Sequence, residues 1–465
     1  MPNTQPNRSK ELGTEPIPQL LVKMGVPASI GILVMSIYFI VDTIFVGRYV
    51  GTLGIAAITV VMPITFLISS LGMSIGVGGA SIISRALGGD DRQKAFCTFG
   101  NMISLTLILA VTAVLGGILI GEPILRLFGG NGDILPYAKE YFSVILFGVP
   151  CLAFAMMSNN VMRSEGQPQM AMWTMLIPAI SNIIMDPIFI IYLEMGMSGA
   201  AWATTISYYL SAGWSLWYFL SGRSELKIDW EAMRLRWNII KEIFAIGGVT
   251  LARQGTISLL TIVLNNSLFQ YGGELAIAIY GIINRVTMFA NFPVLGITQG
   301  FLPIAGYNFG ASHFSRVKET IKTAIGAGTA IAIGLFVLIL IFARPIVSLF
   351  TNDPELLAAA PSALTVTFYA VPLITMQLIG SAYFQAIGKA LPALFLTMTK
   401  QGFFLIPFVL ILPRFFGLEG IWYAFPVSDI LAATVTFLYL RREVRKRLDP
   451  MLVEEKAAEV ENSAV

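Results

Sequence analysis

The sequence predicts an all-α membrane protein with twelve transmembrane helices in two six-helix lobes, related by a pseudo-twofold axis along the membrane normal. Of its 465 residues, 56% are hydrophobic and 12% are charged, and the mean hydropathy is +0.76. A soluble chain of this length needs far more polar surface. Apolar stretches of about 20 residues recur, and each is long enough to cross a ~30 Å hydrocarbon core. The chain also repeats itself at a constant offset of 222 residues.

The duplication is clearest in one run of apolar and turn residues. Pro123, Ile124, Leu127 and Phe128 fall on Pro345, Ile346, Leu349 and Phe350, and turn-type glycines and prolines follow at the same shift. Six helices per repeat give both halves the same orientation in the membrane. A feature that only one half contains is therefore a candidate for function.

The apolar runs define the helices in chain order. The predicted spans are 20–46, 54–80, 95–120, 137–160, 169–193, 197–221, 243–268, 276–304, 319–343, 358–381, 391–412 and 418–440. They predict an N-lobe at 1–221, an interlobe linker at 222–242, a C-lobe at 243–440 and a cytoplasmic tail at 441–465.

The basic residues predict the orientation. Lysine and arginine concentrate in alternate loops, in the linker and in the tail, so the positive-inside rule places both termini in the cytoplasm of a bacterial or archaeal inner membrane. The net charge of +3 follows from this bias and predicts no nucleic-acid partner. In the linker, Trp230 and Trp237 among basic residues favour a short interfacial helix, although a simple tether suffices. The acidic end of the tail predicts disorder.

Polar residues in the apolar helices of the first half predict an ion site. Burying an ionisable group in a bilayer is costly, so each one is a functional candidate. Counting ~1.5 Å per residue gives the four candidates similar depths in the outer part of the membrane. They are Asp42 in span 1, Asn182 and Asp186 in span 5, and Thr204 in span 6.

The second half lacks this set, because leucine and phenylalanine occupy the equivalent positions. That asymmetry favours function over a structural network. Two carboxylates in a pocket of low dielectric constant cannot both stay ionised cheaply, so they should share a proton or a metal cation. Carboxylate, amide and hydroxyl oxygens also suit Na⁺, and the coupling ion stays open between H⁺ and Na⁺.

Pro27 predicts a bend in span 1, because proline removes a helix hydrogen bond. A bend that responds to the protonation of Asp42 and a static kink are equally compatible with the sequence.

A second polar cluster is predicted in the other half. Its members are Arg253 and Gln254 in span 7, Arg285 in span 8, Lys400 in span 11 and Asp429 in span 12. Three cations cannot all pair with one acid, so Asp429 should neutralise one of them. A pinning salt bridge and a role in substrate binding or gating both remain open.

Several catalytic signatures are missing from the sequence. No nucleotide-binding P-loop, His-Glu-x-x-His or Cys-x-x-Cys motif occurs. The chain is therefore expected to be neither an ATPase nor another enzyme, and to need no cofactor besides its coupling ion.

Several motifs resemble those of the MATE (multidrug and toxic compound extrusion) family, and they are closest to its MepA-like bacterial branch. They are Val-Asp-Thr-Ile-Phe-Val-Gly at 41–47, Ser-Arg-Ala-Leu-Gly-Gly at 84–89, Arg-Ser-Glu-Gly at 163–166, and Asn182 spaced four residues before Asp186-Pro187. One branch of the family also carries acids in helices 7 and 10. Here those helices offer Arg253-Gln254 and Gln377 instead, so the C-lobe is not expected to couple ions.

The resemblance implies a secondary antiporter that expels cationic or amphipathic organic compounds in exchange for H⁺ or Na⁺. It maps the cation site to Asp42, Asn182, Asp186 and Thr204, and it implies a drug cavity between the lobes. The expected partners are small organic molecules and the lipid bilayer, with the protein acting as a monomer. The alternatives are a flippase for a lipid-linked precursor, for which Arg253, Arg285 and Lys400 would suit a basic cavity, an intramembrane enzyme and a receptor.

Overall fold

The computed structural model describes residues 8–463. They form helices joined by short turns, with no β-strand among them. The predicted all-α class is confirmed.

The helices of the first half follow one another closely. A 3₁₀ turn at Arg8–Lys10 precedes α1. The α-helices are α1 (Glu11–Thr14), α2 (Ile17–Tyr49), α3 (Thr52–Gly88), α4 (Arg92–Leu127), α5 (Ile134–Ser164), α6 (Pro168–Asp186) and α7 (Gly196–Leu220), with a π-helical segment at Pro187–Tyr192 after α6. Local capping explains several boundaries. The Asp91 side chain, for example, accepts a hydrogen bond from the Lys94 amide at the start of α4.

The second half begins with a helix of 74 residues, α8 (Trp237–Gly310). A straight helix of that length would be roughly 110 Å long, far more than a bilayer needs. The backbone turns at Gly273, where φ is 62° and ψ is −154°. That conformation favours glycine, and it divides α8 into the predicted spans 7 and 8.

The remaining spans contain breaks. The elements are α9 (Phe314–Ser348), α10 (Pro354–Phe368), a 3₁₀ turn at Val371–Leu373, α11 (Ile374–Ala386), α12 (Ala390–Met398), a π-helical segment at Thr399–Leu405, α13 (Ile406–Ile411), α14 (Pro413–Phe416), α15 (Leu418–Glu443), a π-helical segment at Val444–Leu448 and α16 (Asp449–Ser463). Ten helical stretches among residues 8–463 are long and apolar enough to cross a membrane, one of them being the doubled α8. With α7 as the sixth span, the structure accommodates all twelve predicted spans.

Contacts divide the described chain into two compact units that do not follow the predicted lobes. The first contains residues 8–12 and 30–250, and the second contains residues 13–29 and 251–463. Glycines explain both exchanges. A Cβ atom at Gly78 of α3 would overlap the Ile243 carbonyl in the first unit, and a Cβ atom at Gly25 would lie 3.4 Å from the Gly296 carbonyl oxygen in the second. Such close backbone approach is the usual role of small residues between membrane helices.

Each unit has its own apolar core. In the first, Val46, Leu125, Phe142 and Val149 belong to one buried cluster. In the second, the buried cluster includes the fully enclosed Phe368 and Trp422.

The linker is neither an interfacial helix nor a loose tether. It consists mostly of turns and irregular chain that one buried amide side chain holds in place. The Asn101 amide nitrogen donates to the carbonyl oxygens of Ala232 and Arg234, and its oxygen accepts from the Arg236 amide at 2.7 Å. The Ser104 hydroxyl adds a bond to the Met233 carbonyl.

The predicted disorder of the acidic end of the tail is wrong for its described part. The chain continues as helix through Ser463. Its acidic residues pair with the first turns of α9: Asp449 lies 2.6 Å from Lys318 Nζ, and Glu455 accepts from the Ser315 amide and hydroxyl. These contacts supply partners that the local composition cannot reveal.

A buried glutamate in the turn after α5 fastens the start of the linker. Glu165 is 1% exposed, and its carboxylate accepts hydrogen bonds from the Tyr218 hydroxyl, the Ser224 hydroxyl and the Leu226 amide. The N-terminal segment is bound to the same part of the linker, because both the amide and the hydroxyl of Ser9 donate to Glu225 at 2.8 Å. These hydrogen bonds hold three separate stretches of the first unit together: the N-terminal segment, the turn after α5, and the end of α7 with the start of the linker.

We expect a pH-dependent stability from Glu165. Burial raises the pKa of its carboxyl from 4.5 to about 7, so the folded state binds this proton more tightly than the unfolded state does. Stability should therefore fall as the pH rises from about 4.5 to about 7. In melting temperatures measured between pH 5 and pH 8, Glu165→Gln should lose this component, whereas Glu231→Gln, on an exposed glutamate of the linker, should keep it. Parallel pH profiles for the wild type and Glu165→Gln would contradict the assignment.

Candidate functional site

The four polar residues predicted in the first half lie together inside the first unit. Asp42 comes from α2, Asn182 and Asp186 from successive turns of α6, and Thr204 from α7. Asn182 donates a hydrogen bond of 3.2 Å to the Thr204 hydroxyl, and Asp186 is close enough to Asp42 for their charges to interact. Asn182 and Asp186 are completely buried, and Asp42 is 6% exposed.

Oxygens without donors distinguish this cluster. Of the seven buried side-chain oxygens that have no hydrogen-bond partner among the described residues, four belong to this cluster: Asp42 Oδ1, Asn182 Oδ1 and both carboxylate oxygens of Asp186. Buried polar atoms are almost always paired, so this concentration requires an explanation. A proton shared between two of these oxygens, or a cation bound among them, would supply partners that the protein does not.

Three buried tyrosines surround the acids, and sequence reasoning missed them. Tyr38, Tyr141 and Tyr208 all lie within electrostatic range of Asp42. Spacing could have identified two of the three. Tyr38 precedes Asp42 by four residues and Tyr208 follows Thr204 by four, which places each on the same helix face as its partner.

The donor set suits a small hard cation or a proton. Two carboxylates, one amide oxygen and one hydroxyl are the kinds of ligand that Na⁺ accepts. The described residues contain no cluster of three or more His, Cys, Asp or Glu, so the arrangement is unlike a structural transition-metal site. Such a donor set is chemically suited to hold one positive charge.

The π-helical segment begins directly after Asp186, at Pro187. Proline has no amide hydrogen, and π-helical turns inside α-helices often occur at functional sites. The acid is thus placed where the helix changes its hydrogen-bond pattern.

The second polar cluster is only partly assembled. Arg253, Lys400 and Asp429 line one cavity of the second unit, and Lys400 Nζ lies 2.6 Å from Asp429 Oδ1. Gln254 and Arg285 are exposed and do not line it. Gln254 follows Arg253 directly, and adjacent residues point about 100° apart on a helix.

The predicted bend at Pro27 is not a break in the helix. Helix α2 runs from Ile17 to Tyr49 with Pro27 inside it. The compact units change between Ser29 and Ile30, within one turn of the proline.

Comparisons with known proteins agree with this architecture. A family model described as MatE matches residues 27–188 and again residues 250–411. The multidrug export protein MepA of Staphylococcus saprophyticus is 29% identical over 425 residues, which cover 91% of this chain and 94% of that protein. A solved structure described as the outward-facing conformation of a multidrug resistance MATE family transporter of the MOP superfamily is 27% identical, with a TM-score of 0.88, and covers 95% of this chain and 98% of its own. Another, a MATE crystal structure in complex with MaL6, has a TM-score of 0.89 at 27% identity, covering 96% of this chain and 99% of that one. The separate match of the two halves agrees with the internal duplication.

Proposed function

Because the chain belongs to the MatE family of membrane transporters, we propose that it is a secondary antiporter that exports cationic or amphipathic organic compounds in exchange for H⁺ or Na⁺. The observation that carries the proposal is the group of four unpartnered acceptor oxygens on Asp42, Asn182 and Asp186. A transporter driven by an ion gradient needs a buried site that gains and loses a positive charge, and these oxygens provide one.

The substrate class rests on the relatives. The similar proteins are multidrug export proteins and multidrug resistance transporters by name, and similarity across nearly the whole chain favours the same class here. A flippase for a lipid-linked precursor is not favoured by these relatives. A transporter family also points away from an enzyme.

In the proposed mechanism, the carboxyl pair changes its charge during transport. With the ion bound, Asp42 and Asp186 are compatible with a common low-dielectric pocket; without it, their two negative charges repel each other. Each state therefore prefers a different surrounding structure, and the ion shifts the balance between them. Asn182 and Thr204 hold the site in register through their mutual hydrogen bond.

The proposal also includes the location, oligomeric state and orientation of the protein. We place the protein in the inner membrane as a monomer with both termini in the cytoplasm, which the distribution of basic residues supports. The drug moves outward while the ion moves inward through the site.

An imposed gradient tests the coupling. In liposomes containing the purified protein, ethidium transport should follow either a pH gradient or a sodium gradient, and it should stop when an ionophore collapses that gradient. Equal transport with neither gradient would refute antiport. Equal responses of protein-free liposomes would show that the dye movement is not protein-mediated.

A further inference from the structure

A cavity of about 400 Å³ lies inside the second unit, separate from the acids of the first. Its volume falls within the range of small-molecule sites. Apolar side chains such as Leu260, Phe368 and Phe425 form part of its wall. Gln377, Ser381 and Thr397 add amide and hydroxyl groups. The lining thus combines an apolar body with a few polar groups.

The cavity carries an excess positive charge. Its charged side chains are those of Arg253, Lys400 and Asp429. Lys400 and Asp429 neutralise each other at 2.6 Å. Arg253 makes no hydrogen bond or ion pair with any residue in the described range 8–463, and the pair therefore leaves its charge uncompensated.

The position of Arg253 makes this charge informative. It lies about ten residues beyond the start of span 7, which is roughly 15 Å along the helix and near the middle of a ~30 Å core. A cation at that depth is costly without a partner, and intramembrane charges usually mark a pathway or a ligand site. Lys400 lies within the π-helical segment Thr399–Leu405, a type of irregularity often found at functional sites.

We propose that this cavity binds an organic anion, with a carboxylate on the Arg253 guanidinium and an aromatic or aliphatic body against the apolar wall. The planar guanidinium donates two parallel hydrogen bonds to a carboxylate, which a single ammonium group cannot do. Asp429 sets the selectivity by holding the charge of Lys400. The site goes beyond the export of cations and does not depend on ion coupling at Asp42 and Asp186.

Fluorescence titration tests the proposal without any gradient, so its outcome is independent of the antiport assay. The purified protein is placed in nanodiscs of phosphatidylcholine and titrated with dansylglycine, a small aromatic carboxylate, and with neutral dansylamide. Dansylglycine should bind at least tenfold more tightly than dansylamide. Equal binding of the two probes would overturn the proposal.

Charge variants identify the site. Arg253→Gln should weaken dansylglycine binding at least tenfold, and Arg253→Lys should weaken it less. Arg285→Gln removes an exposed cation of the same half outside the cavity and should leave binding unchanged. Wild-type affinity in Arg253→Gln would overturn the proposal.

A variant that is expected to bind the probe more tightly controls for loss of binding through misfolding. Asp429→Asn releases Lys400 from its partner and should tighten dansylglycine binding several-fold; unchanged or weaker binding in the folded variant would overturn the proposal.

Competition with phosphatidylglycerol tests whether the anion in the cavity is instead the phosphate of a lipid headgroup. If this lipid displaces dansylglycine and free benzoate does not, the cavity holds a lipid phosphate and the proposal fails.

Discussion

Drug efflux should fall to the background level of cells without the transporter when either Asp42 or Asp186 is replaced by asparagine. Asparagine keeps the shape of the side chain but neither releases a proton nor supplies a negative charge. The remaining carboxylate would lose its interaction with a second carboxylate, so the binding and release of the ion would no longer follow the coupled titration of the pair. Ethidium accumulation in cells that express each variant measures the effect.

The control for this result is Asp133→Asn. Asp133 lies in the same half but is exposed, so its loss should leave efflux at the wild-type level. All three variants should reach the membrane in similar amounts, as judged by size-exclusion profiles of the solubilised protein. Wild-type efflux by Asp42→Asn or Asp186→Asn would remove these residues from the coupling site.

Gly247→Ala should destabilise the first unit by about 1–3 kcal/mol, the usual cost of overpacking a tight core. A Cβ atom at Gly247 would overlap the carbonyl oxygen of Ser74 in α3. This obstacle is backbone, so α3 and the first part of α8 would have to separate. We expect a lower melting temperature in detergent and reduced ethidium efflux.

The neighbouring glycine provides a matched control. A Cβ atom at Gly248 meets nothing within 4 Å. Gly248→Ala should therefore be neutral or stabilise the helix by up to about 1 kcal/mol, the propensity difference between the two residues. If both variants melted at the same temperature, close packing at Gly247 would not contribute to stability.

The sequence predicted the architecture well because membrane burial imposes strong rules. Span lengths follow from the thickness of the hydrocarbon core, and the duplication follows from matching residues such as Pro123 and Pro345. The cost of burying charge also identified Asp42 and Asp186, which the structure places in one cluster. Their role in coupling remains a prediction.

Other features depend on contacts that the sequence does not display. Glu165 stood in a motif without an assigned role, because its donors Tyr218, Ser224 and Leu226 lie more than 50 residues away. The exchange of residues 13–29 and 243–250 between the compact units arises from glycine contacts across long separations. Gln254 was grouped with Arg253 by sequence proximity, although the two point in different directions around the helix axis.

The fastening of the linker has a consequence for how the two repeats are joined. A free stretch of 21 residues such as 222–242 would reach about 70 Å when extended, at 3.3–3.6 Å per residue. Hydrogen bonds to Glu165, Asn101 and Ser104 hold the linker against the first unit, so it cannot extend to that length. After the linker, the chain leaves the first unit within the helix α8, between Thr250 and Leu251. Extra residues inserted around Trp230 would therefore lengthen only the part of the linker that is hydrogen-bonded to the first unit.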